Sequence, residues 1–94
     1  MLIVSGKIYV DPAAREKYLA DCVQVVEQAR ATAGCFDFSL SADIVEPGRI
    51  NIYERWDTDE QLQSFRGSGP SDEQTAEILD ADVAKYRIST VEAP

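Results

Sequence analysis

Apolar and polar residues alternate from Leu2 to Val10: Leu2, Val4, Ile8 and Val10 fall on one side of an extended chain with Gly6 among them, and Ile3, Ser5, Lys7 and Tyr9 fall on the other. This period of two predicts a strand with one buried side. Asp11-Pro12 then predicts a helix start. The Asp carboxylate accepts from free backbone N–H groups, and Pro at the first helical position loses no needed donor. From there to about Ala33 the period becomes helical, with Leu19, Cys22, Val23, Val26 and Ala29 as a core stripe. Arg15, Glu16, Lys17, Gln24, Glu27 and Gln28 take the water side, and Gly34 is the natural stop.

Alternation returns over Cys35 to Ala42, where Phe36, Phe38 and Leu40 oppose Asp37, Ser39 and Ser41. A turn at Glu46-Pro47-Gly48 leads into a return strand from Arg49 to Trp56. On it Ile50, Ile52, Glu54 and Trp56 share one side, with Asn51, Tyr53 and Arg55 on the other. Two overlapping capping boxes, Asp57 with Glu60 and Thr58 with Gln61, predict a second helix carrying Leu62 and Phe65. Gly67-Ser68-Gly69-Pro70 breaks it, and Ser71 with Gln74 caps a further segment bearing Ile78 and Leu79. Ala84, Tyr86 and Ile88 alternate with Lys85, Arg87 and Ser89 in a last strand, before a frayed polar end at Glu92 to Pro94.

The order βαββαβ predicts an α+β, ferredoxin-like fold. Right-handed crossovers return across one side of the sheet, so a four-stranded antiparallel sheet carries both helices on one face. That face collects Val4, Ile8, Phe36, Phe38, Leu40, Ile50, Ile52, Trp56, Tyr86 and Ile88, with Glu54 as its single acid. The other face holds Ile3, Lys7, Tyr9, Asp37, Ser39, Asn51, Tyr53, Arg55, Lys85 and Arg87. A second copy packed across a twofold axis would cover it and mask the sheet edges, with Lys7, Arg55, Lys85 and Arg87 organising the dimer face around Asp37. The plainer alternative is an open, wet sheet.

Composition narrows the partners. Ninety-four residues, 45% of them apolar, suit one domain spanning 1–94 with a real core. Nine Lys and Arg against 17 Asp and Glu leave a net charge of −8, which repels nucleic acid and anionic membrane surfaces. Met1 to Val10 lacks the pattern of a signal peptide and no apolar run approaches spanning length, so a cytoplasmic location is expected. Cys22 and Cys35 lack metal or redox spacing and the chain has no His, so two reduced structural cysteines and no metal are expected.

The Ala33-Gly34-Cys35 entry to the second strand, the hairpin, the Tyr53-Glu54-Arg55-Trp56 strand end and the capped helix to Phe65 resemble the antibiotic biosynthesis monooxygenase family. By element order the resemblance covers the whole chain. It implies a dimeric α+β barrel. The family includes cofactor-independent oxygenases of quinols and polycyclic phenols, relatives that degrade heme, and members without an assigned activity; the fold alone does not choose among them. Two departures matter. Many members carry His near the second helix, whereas the absence of His here excludes heme ligation by that residue. Asn51, an attractive amide, lies five residues before Trp56 and so points to the other face.

Oxygenation without metal or flavin makes the substrate supply the electrons: a phenol or quinol is deprotonated, and its anion reduces O2 in a dry pocket. On these terms Glu54 is the candidate base, since an acid on an apolar face has its pKa raised by desolvation; its plainer reading is a pair with an arginine. Trp56 is placed to stack a planar aromatic ligand and Tyr86 to hydrogen-bond its oxygen, both being equally suited to the core. Arg66 is the candidate to stabilise a phenolate, against the default of a solvated arginine. The expected function is a cofactor-independent monooxygenase of a small quinol or polycyclic phenol, with no cofactor. The alternatives are a non-catalytic small-ligand-binding protein and an auxiliary dimeric module. A carboxylate facing a cavity favours chemistry, one locked to arginine favours structure, and a filled cavity favours the auxiliary role.

Overall fold

The computed structural model describes residues 1–67 and 76–94. Strands β1 (Leu2–Tyr9), β2 (Cys35–Ala42), β3 (Arg49–Trp56) and β4 (Asp80–Arg87) form one sheet in the order β2-β3-β1-β4, with all neighbours antiparallel. A 3-10 turn at Pro12–Ala14 precedes helices α1 (Arg15–Asp21), α2 (Val23–Ala31) and α3 (Asp59–Arg66). This is the expected ferredoxin-like plan, in which β3 lies between β1 and β2. A mid-strand glycine serves it directly: a side chain at Gly6 would run into the backbone carbonyl of Asp82 on β4.

The first helix starts as its sequence predicts, with the Asp11 carboxylate accepting from the Ala13 N–H at 2.9 Å. It is not continuous, however. At Cys22 the N–H bonds back three residues to the Leu19 carbonyl at 3.1 Å, and the four-residue ladder resumes with Val26 to Cys22 at 3.0 Å. The tighter step carries Val23 toward solvent, where it is 51% exposed, and leaves Tyr18, Cys22 and Ala29 buried.

Of the two capping boxes, Thr58 with Gln61 is the one that forms: Thr58 Oγ1 accepts from the Gln61 N–H at 3.3 Å and donates to Gln61 Oε1 at 3.1 Å. The Gln61 side chain lies against Gly34, whose φ of 86° favours glycine and where a Cβ would collide with that amide. The Gly34 carbonyl in turn accepts from the Asp57 N–H at 2.8 Å, locking the entry of β2 to the start of α3. Helix α3 closes at Gly67, whose N–H bonds the Gln63 carbonyl at 3.0 Å. The expected break at 68–70 and the segment capped by Ser71 and Gln74 lie outside the described residues.

Two face assignments are corrected by the strand register, because directly opposed residues share a face. Lys85 opposes Val4 and Arg87 opposes Leu2, so both basic residues lie on the helix side, and Tyr86 opposes Ile3 on the open side. There they do not organise a dimer face: Lys85 Nζ and Arg87 Nη1 each reach Asp59 in the first turn of α3 at 2.9 Å. Strand β4 is an edge strand exposed along its length and begins at Asp80, so burial does not oblige its apolar residues to face inward. Ile88 lies just past its end. The second correction is a bulge in β2 between Cys35 and Asp37. Cys35 takes the core position opposite Trp56, and Phe36 turns out to stand 5.3 Å from the Arg55 guanidinium.

The core divides in two. Leu2, Val4, Ala29, Phe38, Trp56, Leu62 and Phe65 form one cluster, in which the Phe65 ring stands 5.5 Å from Phe38 and 5.4 Å from Trp56. Ile8, Val10, Tyr18, Cys22 and Ile50 form the other. Among the described residues no helix is long and apolar enough to cross a membrane.

Candidate active site

The two clusters do not close on each other. A cavity of about 200 Å³ opens between them, floored by Ile8, Phe38, Leu40, Ile52 and Glu54 of the sheet. Tyr18, Cys22 and Val25 wall it from α1 and α2, Phe65 and Arg66 from α3, and Ile78 from the approach to β4. Glu54 is there because β3 is an inner strand: alternation puts Glu54 on the helix side with Ile50, Ile52 and Trp56, between Val4 on β1 and Phe38 on β2.

Glu54 is therefore a carboxylic acid in a hydrocarbon setting. Burial pushes its pKa above the ordinary value, opposed by the hydrogen bond from Trp56 and by the positive charge of Arg66. The Trp56 indole N–H donates to Glu54 Oε1 at 3.0 Å, and the indole is fully buried, so the carboxyl is held by a rigid donor. Among the described residues no lysine or arginine comes within ion-pair distance of Glu54. Arg66 reaches it through the cavity as a field and not as a contact.

Tyr18 is the second protic group of the walls that carries a hydroxyl. It is buried, and its pKa is raised by that burial first, then by Cys22 and Glu77. Cys35 sits beside Trp56 with a thiol whose pKa is also raised, mainly by burial and next by Glu54. Neither cysteine is in a disulfide, and among the described residues no cluster of His, Cys, Asp or Glu is placed to hold a metal ion.

Of the four residues singled out by sequence, the structure brings Glu54 and Arg66 to one cavity. Trp56 stands behind Glu54, fully buried, and does not line the cavity. Tyr86 lies on the opposite face of the sheet, 53% exposed, and is not brought to this site within the chain. Tyr18 was missed. The signal for it is its place four residues before Cys22, one position ahead of the predicted stripe's first residue, Leu19.

Asn51 is occupied elsewhere, in a network at the base of the β2–β3 hairpin. Its Nδ2 donates to Asp43 Oδ1 at 3.0 Å and its Oδ1 accepts from Arg49 Nε at 2.7 Å. Asp43 also accepts from the Val45 and Glu46 N–H groups at 3.0 and 2.8 Å, and these bonds hold its pKa at about 2. Arg15 Nη1 clamps the same loop through the carbonyls of Asp43 and Glu46 at 3.0 and 2.9 Å.

The family model for antibiotic biosynthesis monooxygenase matches residues 1–86. Among solved structures, a Nitrosomonas europaea protein carrying that family name superposes with a TM-score of 0.81 at 14% identity, covering 96% of this chain and 100% of its own. Rv0793 from Mycobacterium tuberculosis superposes with a TM-score of 0.78 at 20% identity, covering 98% of each chain. PA3566 from Pseudomonas aeruginosa gives 0.75 at 20% identity over 94% of each. At these identities the likeness is one of fold. No curated protein matches the chain significantly.

Proposed function

The chain belongs to the antibiotic biosynthesis monooxygenase family, and from that premise we propose that it oxidises a small quinol or phenol with O2, without a cofactor, in the cavity floored by Glu54. One observation carries the reading: a carboxyl with raised proton affinity faces an apolar cavity and is held by an indole N–H in place of an arginine. The cavity is left open by the side chains of the described residues, which speaks against a purely auxiliary module.

In this reading Glu54 takes the phenolic proton and the aromatic anion becomes the reductant. One electron passes to O2, and the radical pair joins at an open ring carbon as a peroxide, protonated from Glu54. Loss of the proton from that carbon expels the distal oxygen as hydroxide, which becomes water. The balance is one ArH phenol plus one O2 to one quinone carbonyl plus one water. The apolar walls keep bulk water from the anion, and Arg66 stabilises the phenolate charge from the cavity wall. Trp56 is a positioning residue that aims the carboxyl.

The open sheet face supports the companion proposal of a homodimer. Phe36 and Tyr86 are half exposed there, and Arg55 Nε is buried without a hydrogen-bond partner in the described chain. Sedimentation equilibrium tests it, with a monomer at micromolar concentration as the contrary result.

The test of the activity is oxygen uptake by purified, metal-stripped protein over a panel of quinols and phenols, with a protein-free control for autoxidation. Protein-dependent uptake that survives chelation supports the proposal. No uptake across the panel overturns it, and retained binding would then leave a small-ligand-binding protein.

A further inference from the structure

We infer that the edge of β2 beyond Phe38, with the hairpin tip that follows it, is a docking surface for a second copy of this chain. The two β2 strands pair antiparallel about a twofold axis at Ser41, and the Ile44-Val45 tip of each copy seats on the outer side of α2 of the other. This surface is separate from the cavity and from the open sheet face.

The outward groups of β2 follow from its hydrogen bonds. In an antiparallel ladder, residues alternate between bonding the neighbouring strand and facing away from it. The Asp43 N–H bonds the Arg49 carbonyl at the start of β3 at 3.0 Å, so Ser39, Ser41 and Asp43 bond toward β3, and Phe38, Leu40 and Ala42 turn their backbone groups to the edge. Phe38 agrees with this: its N–H donates to Asp37 Oδ1 at 2.9 Å and its carbonyl accepts from Arg30 Nε at 2.8 Å. Side chains thus occupy both outward groups and close the edge to pairing there. Among the described residues no side chain does the same at Leu40 or Ala42, and Ser41 and Ala42 are exposed.

The open half of the edge runs into an apolar tip. Ile44 is 99% exposed and Val45 81%, on a turn fixed by the Asp43 carboxylate and the Arg15 guanidinium. An unclamped loop could fold two aliphatic residues away from water; this turn presents them. The same edge carries a matching groove, lined by Leu19, Val23, Val26 and Leu40 with Arg30 on its wall.

One register satisfies both open residues: Leu40 of each copy bonds Ala42 of the other. Continued two residues past Ala42, it brings Ile44 level with Phe38 of the other copy, whose groove residues Val26, Leu40 and Arg30 receive it. Glu46 arrives at the end where that arginine stands, and among the described residues Arg30 is in no ion pair. Each copy supplies tip and groove alike, so the contact is self-complementary and closes on two chains. An unrelated strand would meet only half of it.

The test is association of the whole chain by sedimentation equilibrium, with a disulfide to read the register. Ser41→Cys sets two thiols across the axis at a non-hydrogen-bonded pair with Cα atoms about 4.5 Å apart, within disulfide range. Under mild oxidation it should give a covalent dimer, with the native chain and its Cys22 and Cys35 as control. Ser39→Cys, about 13 Å from its counterpart, should not. Ile44→Lys alters a residue that is fully exposed in the single chain. It should weaken association about a hundredfold, about tenfold at each of two symmetric contacts. Ala42→Pro removes an outward N–H at a position where an edge strand accepts proline, and it too should weaken association while the far-UV spectrum is kept.

A monomer at every concentration reached, association unchanged by Ile44→Lys and Ala42→Pro, or no covalent dimer of Ser41→Cys would each overturn the inference. The open-face homodimer is read separately. If it also forms, the native chain is a tetramer and the two weakened variants are dimers; variants that fall to monomers overturn the open-face pair and leave this one standing.

Discussion

Asp43 and Glu54 are two carboxylates beside the same hairpin, and their surroundings have driven them in opposite directions. Asp43, at the hairpin base, accepts from Asn51, Val45 and Glu46 and has Arg49 Nε 3.7 Å away; its pKa is held at about 2. Glu54, on the covered face, accepts from the Trp56 indole among hydrocarbon neighbours, and its pKa is raised. The difference teaches how one functional group is given two settings: donors that saturate it make a structural clamp, and apolar walls that leave it under-solvated raise its proton affinity, which is what the proposed function uses.

The strongest way to break the comparison is Glu54→Gln, which keeps the shape and removes the proton exchange. With an active substrate kcat should fall about a hundredfold to ten-thousandfold, the range for a positioned base, measured as initial oxygen uptake. The same variant should be more heat-stable than the native chain at pH 8 and no more stable at pH 4. The sign follows from linkage: a carboxyl whose folded pKa is raised contributes its full stability below its unfolded pKa and loses it as pH rises through the folded value. Equal melting shifts at both pH values would remove Glu54 from its proposed setting.

Trp56→Phe removes the donor and keeps an aromatic ring. Because the indole bond lowers the pKa of Glu54, the acid limb of the pH–rate profile should move to higher pH, with the plateau rate nearly kept. The smaller ring leaves a void, and denaturant unfolding should show a loss of about 1–3 kcal/mol. An unmoved limb would show that the indole does not tune the carboxyl.

At the other pole of the comparison, Asp43→Ala should lower the melting temperature by a few degrees at neutral pH and change kcat by less than about twofold. A depressed carboxyl contributes stability above its unfolded pKa of 3.8 and loses it as pH falls toward about 2, so the gap between variant and native chain should close there. Arg66→Gln should lower kcat by removing the charge that faces the phenolate, but its effect on Glu54 itself is the smallest expected. Losing its charge raises the Glu54 pKa slightly, and the resulting shift of the acid limb should fade with added salt.

Legibility in the sequence tracked how many sides of an element are constrained. β3 is flanked on both edges and covered on one face, so simple alternation places Glu54 correctly on the helix side. β4 has a neighbour on one edge and is exposed throughout, and the same alternation rule puts Tyr86 and Lys85 on the wrong faces. Phe36 escaped for a different reason: a bulge inserts one residue, and period-two reasoning does not register an insertion. Tyr18 escaped because the predicted stripe begins one residue later, at Leu19, although Tyr18, Cys22 and Ala29 share one face of a helix. The hairpin clamp was legible as a Pro-Gly turn but not as the end use of Asn51, which depends on the folded hairpin bringing Asp43 and Arg49 to its amide.

The divided core also makes the fold mechanically soft in a particular way. Whatever part of the space between the clusters water leaves unfilled is abolished on unfolding and lowers the volume of the unfolded state relative to the native one, so hydrostatic pressure should favour unfolding of this chain. A molecule lodged between the Phe65 and Tyr18 clusters would act as a wedge against that collapse. Its presence should then be read more sensitively in a pressure midpoint than in a melting temperature.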